Sequence, residues 1–172
     1  MTNIIMKAAF FAREAHEGQF RKNKKDPYIY HPARVAARYA LLDGASEEGV
    51  AAAFLHDVLE DTKVHMVTLE EKFGTKVTQL VIALTNVSKG LVNTPRAERK
   101  KMDREWLARN GNPEVKRIKM LDRIDNLRDI ESLDEDFIKL YAQESLLLAE
   151  AIGDADLALK KELIDTANNL FV

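Results

Sequence analysis

Residues 51–62 read AAAFLHDVLEDT, and their spacing decides the fold class. The run holds no Gly or Pro and does not alternate between apolar and polar residues. On a helix advancing about 100° per residue, with His56 at zero, Glu60 falls at about 40°, Asp57 at about 100° and Asp61 at about 140°. Phe54, Val58, Leu55, Leu59, Ala51 and Ala52 fill roughly the opposite half. This is the pattern of an amphipathic helix. Ser46 is a capping residue, with Glu48 and Gly49 in the first turn, so the spacing predicts one helix from Ser46 to about Glu60.

The same period recurs on both sides of this stretch. Residues 2–18 read as a helix, with Ile4, Ile5, Ala8, Phe11, Ala12 and Ala15 on one side and Gly18 as a stop. Next comes the basic and aromatic loop QFRKNKKDPYIYHP, with Arg21, Lys22, Lys24 and Lys25, ending in His31 before Pro32. A residue before proline is biased to extended geometry, so His31 is expected at a loop-to-helix joint. Residues 32–43 are expected to be helical, up to the DGAS break. VTLEEKFG reads as a short helix capped by Thr68, with Glu71 closing a capping box. Further helices are expected over 75–86, after Asn93 or Thr94 ahead of Pro95, over 114–130, over 136–151 and beyond Gly153. With seven Gly and four Pro in 172 residues, turn signals are few. The expected class is all-α, with residues 1–172 as a single domain.

Composition narrows the function. Apolar residues make up 46% and charged residues 31%, an ordinary globular mix. A formal net charge of -2 gives no global reason to expect nucleic-acid or anionic-membrane binding. Any anion must be met by a local basic cluster. There are no cysteines, so disulfides and thiolate metal ligands are excluded, which fits a reducing cytosol. Arg13, Glu14 and His16 come too early for a signal peptide, and no apolar run approaches membrane-spanning length. A cytoplasmic protein is expected, and a homo-oligomer is compatible with the sequence.

The polar arc of the central helix could be only a solvated face. Two features weigh against that. It carries no Lys or Arg, and it groups three carboxylates with one imidazole. Like charges one turn apart repel by a few tenths of a kcal/mol per pair, and a divalent cation would remove that cost. His and Asp suit Mn, Fe or Zn. Of the four histidines, His31 is the best second imidazole. His65 reads as a surface loop residue and His16 as a structural histidine closing the first helix. A second acidic cluster lies in IKMLDRIDNLRDI, where Asp122, Asp125, Asn126 and Asp129 share an arc. Arg123 and Arg128 offer ordinary salt bridges to Asp125 and Asp129. Asp122 follows the apolar IKML and is expected to face inward. Asn126, one turn on, can bond a sugar hydroxyl or a phosphate oxygen.

Taken in order, AHEGQFRK, PYIYHPARVA, AAFLHDVLEDT, FGTKVTQLVIALTNVSK and IKMLDRIDNLRD resemble the HD-domain phosphohydrolases. More narrowly, they resemble the hydrolase domain of the RelA/SpoT-type alarmone enzymes and the stand-alone small alarmone hydrolases. The resemblance covers roughly residues 8–130. It implies an HD-type helical bundle and a metal, usually manganese or else another divalent transition metal, held by His31, His56, Asp57 and Asp122. It implies that Glu60 and Asp61 are the catalytic acidic pair, handling the proton and positioning the water. It implies substrate contacts from Arg21 and Lys22, from Asn126 to the ribose, and from Lys89 and Arg96 to phosphate. The implied partner is a small-molecule nucleotide. The implied reaction releases pyrophosphate from the 3′ position of guanosine tetra- or pentaphosphate, leaving GDP or GTP. A nucleotide-synthesising domain does not fit in the remaining residues, so hydrolysis alone is expected.

The chain departs from its relatives in two places. NKKDPY replaces a Ser-Gly-like loop, and Asp125 stands in the RID before Asn126. Two alternatives stand beside the alarmone reading. One is an HD hydrolase of another nucleotide, such as a deoxynucleotide or a phosphorylated dinucleotide cofactor. The other is a non-catalytic nucleotide-binding module. The run RAERKKMDRE reads as a solvated, ion-paired helix, and Phe10, Phe11 and Phe54 as core residues.

Overall fold

The computed structural model describes residues 3–21, 26–130 and 133–171. Among them there is no strand, only a single antiparallel bridge between Phe20 and Pro27. The class is all-α, as the period of the sequence predicts. The helices sort into two units, Met1–Thr85 and Asn86–Val172.

In the first unit, α1 (Ile4–Ala15), α2 (Tyr30–Tyr39) and α5 (Met66–Leu84) pack on or around α3 (Glu47–Leu55), and α4 (Val58–Asp61) is a single turn that contacts α5. Ser46 caps α3, its Oγ accepting from the Gly49 N–H at 2.9 Å. Within α3, Gly49 to Ala53 and Leu55 are all buried. Ala51, Ala52 and Ala53 are fully buried, and their small side chains let neighbouring helices approach closely. A helix apolar on every side belongs in a core. Phe11 packs edge-on against Phe73 at 5.4 Å, whereas Phe10 is exposed rather than in the core.

Three boundaries differ from the sequence reading. The central helix stops at Leu55 and restarts at Val58 instead of running on to Glu60. At the break, the His56 ring bonds the carbonyl oxygen of Ala53 at 2.8 Å. A side-chain bond to a carbonyl three residues back competes with the helical ladder. Second, α2 begins at Tyr30, so His31 is already helical and the proline falls within the first turn. Third, α5 is capped at His65, not Thr68, and its two halves meet at Gly74.

Gly74 has φ 76° and ψ 171°, a region essentially closed to other residues. A Cβ there would touch nothing within 4 Å, so the cost of adding one is purely conformational. We expect Gly74→Ala to destabilise by about 1–3 kcal/mol. That corresponds to a melting temperature about 2–4 °C lower per kcal/mol, read by thermal denaturation.

The second unit is built from α6 (Arg96–Asn110), α7 (Pro113–Arg128), α8 (Glu135–Ile152) and α9 (Leu157–Asn168), with α8 and α9 joined through a 3-10 turn at Gly153–Ala155. Asn112, Asp134 and Asp156 cap α7, α8 and α9 through their side chains. Helix α6 buries only Leu107 and is laced with ion pairs, including Lys101–Glu105 and Arg109–Glu105, as its charge run predicts. Helix α7 packs against both α8 and α9 and is buried nearly all round.

Candidate active site

The helix break between α3 and α4 builds the core of the site. His56 is fully buried, and its Nδ1 faces the Ala53 carbonyl oxygen, which can only accept. Nδ1 therefore carries a proton, and Nε2 points the other way. That Nε2 lies 3.0 Å from Asp57 Oδ2. His31, also buried, places its Nε2 3.7 Å from the same oxygen. The two imidazole rings stand edge-to-face at 5.1 Å. Two imidazole nitrogens and a carboxylate oxygen that converge at these distances can share a divalent cation. The donor set of two imidazoles and a carboxylate, with no thiolate, suits a divalent transition metal.

The acidic residues that follow are not a solvated face. Tyr28 donates its hydroxyl to Asp57 Oδ2 at 2.6 Å and lies 3.2 Å from Asp61 Oδ2. Asp61 is exposed as a residue, but its carboxylate rests against these groups. This desolvation raises its pKa, the Asp57 charge raises it further, and the Tyr28 hydrogen bond and the nearby His16 and His56 oppose the rise. Glu60, partly buried, and Asp61 also line a cavity of about 750 Å³, together with Phe11, Ala15, Gln19 and Thr62.

Behind Asp61 lies a short polar chain. Gln19 donates to the Asp61 carbonyl oxygen at 2.8 Å, and its own Oε1 is 2.9 Å from His16 Nδ1. His16 is buried at the end of α1, and its ring lies 4.8 Å from that of Tyr28. His65 is exposed at the start of α5. Arg21 places its guanidinium over the Tyr28 ring at 5.7 Å. Lys22, with Lys24 and Lys25, lies outside the described residues.

In the second unit, Asp122 is buried as its apolar lead-in predicts. Its Oδ1 accepts from Asn126 Nδ2 at 2.6 Å, and its Oδ2 is 3.1 Å from Lys119 Nζ. Asp125 is buried as well, not on a solvated arc. Arg123 turns away from the acids of its own helix. It lies 4.3 Å from the Tyr141 ring and 3.8 Å from Glu144. Arg96 forms a bidentate pair with Glu144 at 2.8 and 2.9 Å, with its guanidinium over Phe137. Lys89 is exposed in a turn.

The sequence reading passed over Tyr28, Gln19 and Lys119. For Tyr28 the signal was present: PYIYHP sets a phenol three residues before the ligand-type histidine. No spacing rule, however, says which of two tyrosines turns inward.

Lys100 sits within this basic group. Desolvation lowers its pKa, and the charges of Arg123 and Lys119 lower it further, against the pull of Asp103. A base whose pKa is lowered on folding destabilises the fold while it stays protonated, and the penalty fades as the pH rises through the lowered pKa. We expect Lys100→Met to raise the melting temperature by about 2–4 °C at pH 7. The gain should shrink in alkaline buffer, as measured by thermal denaturation across pH.

A family model described as an HD domain matches residues 8–148. A guanosine-3′,5′-bis(diphosphate) 3′-pyrophosphohydrolase of Aquifex aeolicus is 36% identical over 95% of the chain and 23% of its own length. The protein of that activity named MESH1 in Xenopus tropicalis is 38% identical over 74% of the chain and 69% of its own length. Among solved structures, a metazoan ortholog of SpoT described as hydrolysing ppGpp is similar, with a TM-score of 0.84 and 25% identity over 98% of this chain and 96% of that one. The lmo0812 protein of Listeria monocytogenes matches with a TM-score of 0.67 and 26% identity, over 87% of this chain and 100% of that one. The chain spans about a fifth of the length of several of its relatives and about two thirds of the MESH1 protein. With the family model covering most of its length and these relatives beside it, the chain belongs to the HD domain family.

Proposed function

We propose that residues 1–172 act as one HD-type hydrolase domain that removes the 3′-pyrophosphate of guanosine 3′,5′-bis(diphosphate) or its pentaphosphate analogue. The observation that carries this reading is the convergence of two buried imidazoles on one oxygen of Asp57. The Nδ1–H of His56 is committed to Ala53, and its Nε2 shares Asp57 Oδ2 with His31. Named activities in the relatives supply the substrate, since the Aquifex aeolicus and Xenopus tropicalis proteins are both 3′-pyrophosphohydrolases of this nucleotide.

His31, His56 and Asp57 would hold a divalent ion, and the family resemblance adds Asp122 as the fourth ligand. We assign manganese, which the nitrogen and oxygen ligand set suits. When bound, such an ion acidifies water and neutralises charge on the phosphate under attack. Glu60 and Asp61 form the acidic pair that positions the attacking water and takes up its single proton, with Asp61 the stronger acceptor for its raised pKa. The water oxygen joins phosphorus, the bond from phosphorus to O3′ breaks, and O3′ takes up a proton. Arg21 and Lys22 are assigned to the nucleotide, Asn126 to the ribose, and Lys89 and Arg96 to phosphate. Arg96 would have to share its guanidinium with Glu144. We assign the reaction to the cytoplasm, where a water-soluble nucleotide substrate would be met. No helix among the described residues is long and apolar enough to cross a membrane.

The test is a substrate panel with the purified chain and Mn²⁺. It should contain guanosine tetraphosphate, deoxynucleoside triphosphates and a phosphorylated dinucleotide cofactor. We expect pyrophosphate from the first. Cleavage of another member with guanosine tetraphosphate left intact would overturn the substrate assignment, and binding without cleavage of any member would make the chain a nucleotide-binding module.

A further inference from the structure

Tyr28 donates to a ligand-type carboxylate and lies within reach of a member of the acidic pair. Its hydroxyl is 2.6 Å from Asp57 Oδ2 and 3.2 Å from Asp61 Oδ2. The oxygen it meets on Asp57 is also the one nearest both imidazoles. The placement of Tyr28 is fixed from several directions. Its N–H donates to the Gln19 carbonyl oxygen at 2.9 Å, beside the bridge that pairs Phe20 with Pro27. Its ring lies 4.8 Å from His16 on one side, 6.0 Å from His31 on another, and under the Arg21 guanidinium. A phenol held this firmly does more than fill space. It selects which Asp57 oxygen faces the histidines, and it keeps two repelling carboxylates in register.

We propose that Tyr28 is a positioning residue: its hydroxyl orients Asp57 for metal binding and ties Asp61 to that carboxylate. The inference rests on the reading of His31, His56 and Asp57 as metal ligands. Outer hydrogen-bond partners of metal ligands typically contribute about 10–100-fold in affinity or activity. The hydroxyl is the part that matters, because the ring contacts survive in phenylalanine.

The experiment uses Tyr28→Phe in the full chain. Mn²⁺ affinity is measured without substrate, by the electron paramagnetic resonance signal of free Mn²⁺. We expect the dissociation constant to rise about 10–100-fold, with kcat reduced and KM within about twofold. The metal-free melting temperature should stay near that of the wild type. A double-mutant cycle separates positioning from general loosening of the fold. In an Asp57→Ala background, which removes the acceptor, Tyr28→Phe should leave the residual Mn²⁺ affinity unchanged. Wild-type affinity in the single variant, or an equal loss in both backgrounds, would overturn the inference. A wild-type chain that binds Mn²⁺ but leaves guanosine tetraphosphate intact would sink the substrate assignment alone. One that binds no Mn²⁺ would sink the ligand reading and this inference together.

Discussion

Given guanosine tetraphosphate and Mn²⁺, the wild-type chain should release pyrophosphate and Asp57→Ala should release essentially none. The expected loss is about a thousandfold or more, because several kcal/mol of charge stabilisation disappear with the ion. Asp57 Oδ2 lies 3.0 Å from His56 Nε2 and 3.7 Å from His31 Nε2, so one truncation removes the oxygen on which both imidazole nitrogens converge. It also removes the acceptor of the Tyr28 hydroxyl. Asp57 is only partly buried, so the variant should still fold, and circular dichroism checks this. The Mn²⁺ affinity of the variant should fall along with its activity. Equal activity in both proteins would remove Asp57 from the metal site and undo the mechanism.

Glu60→Ala with Asp61→Ala should separate the opposite way. Turnover should fall by about 10²–10⁴-fold, the range for losing a positioned general base. Mn²⁺ affinity should stay within a few-fold of the wild type, since neither residue is among the proposed ligands. The raised pKa of Asp61 has desolvation as its first cause and the Asp57 charge as its second, and both make it a stronger proton acceptor than an ordinary carboxylate. Strong loss of Mn²⁺ binding in this variant would move the acidic pair from proton handling to metal holding. Measuring kcat and metal affinity on the same preparations decides between the two.

Much of the site could be read in the sequence, for a local reason. His56, Asp57, Glu60 and Asp61 lie within six residues, so their proximity needs no tertiary contact. His31 was reachable through its neighbouring Pro32, although the helix encloses it instead of starting after it. The inward turn of Asp122 followed from the apolar residues before it. Other features depended on packing that no period encodes. The helix break at His56 arises from a side-chain bond to Ala53, invisible in a helical wheel that treats every position alike. The burial of α3 on all sides reflects three neighbouring helices, which the wheel of a single helix does not contain. Arg123 was read as a partner for acids on its own helix, yet Tyr141 and Glu144 of α8 claim it. Arg96 likewise pairs with a residue 48 positions away.

The order of residues around the α3–α4 break has a consequence in time. His31, His56, Asp57, Glu60 and Asp61 all precede Thr62, and α1, α2 and α5, which pack on or around the break, end at Leu84. Asp122 follows Thr62 by 60 residues. At translation rates of about 5–20 residues per second, that separation lasts roughly 3–12 s. During those seconds the nascent chain already carries two imidazoles and three carboxylates of the site, while its fourth proposed ligand has not yet been made.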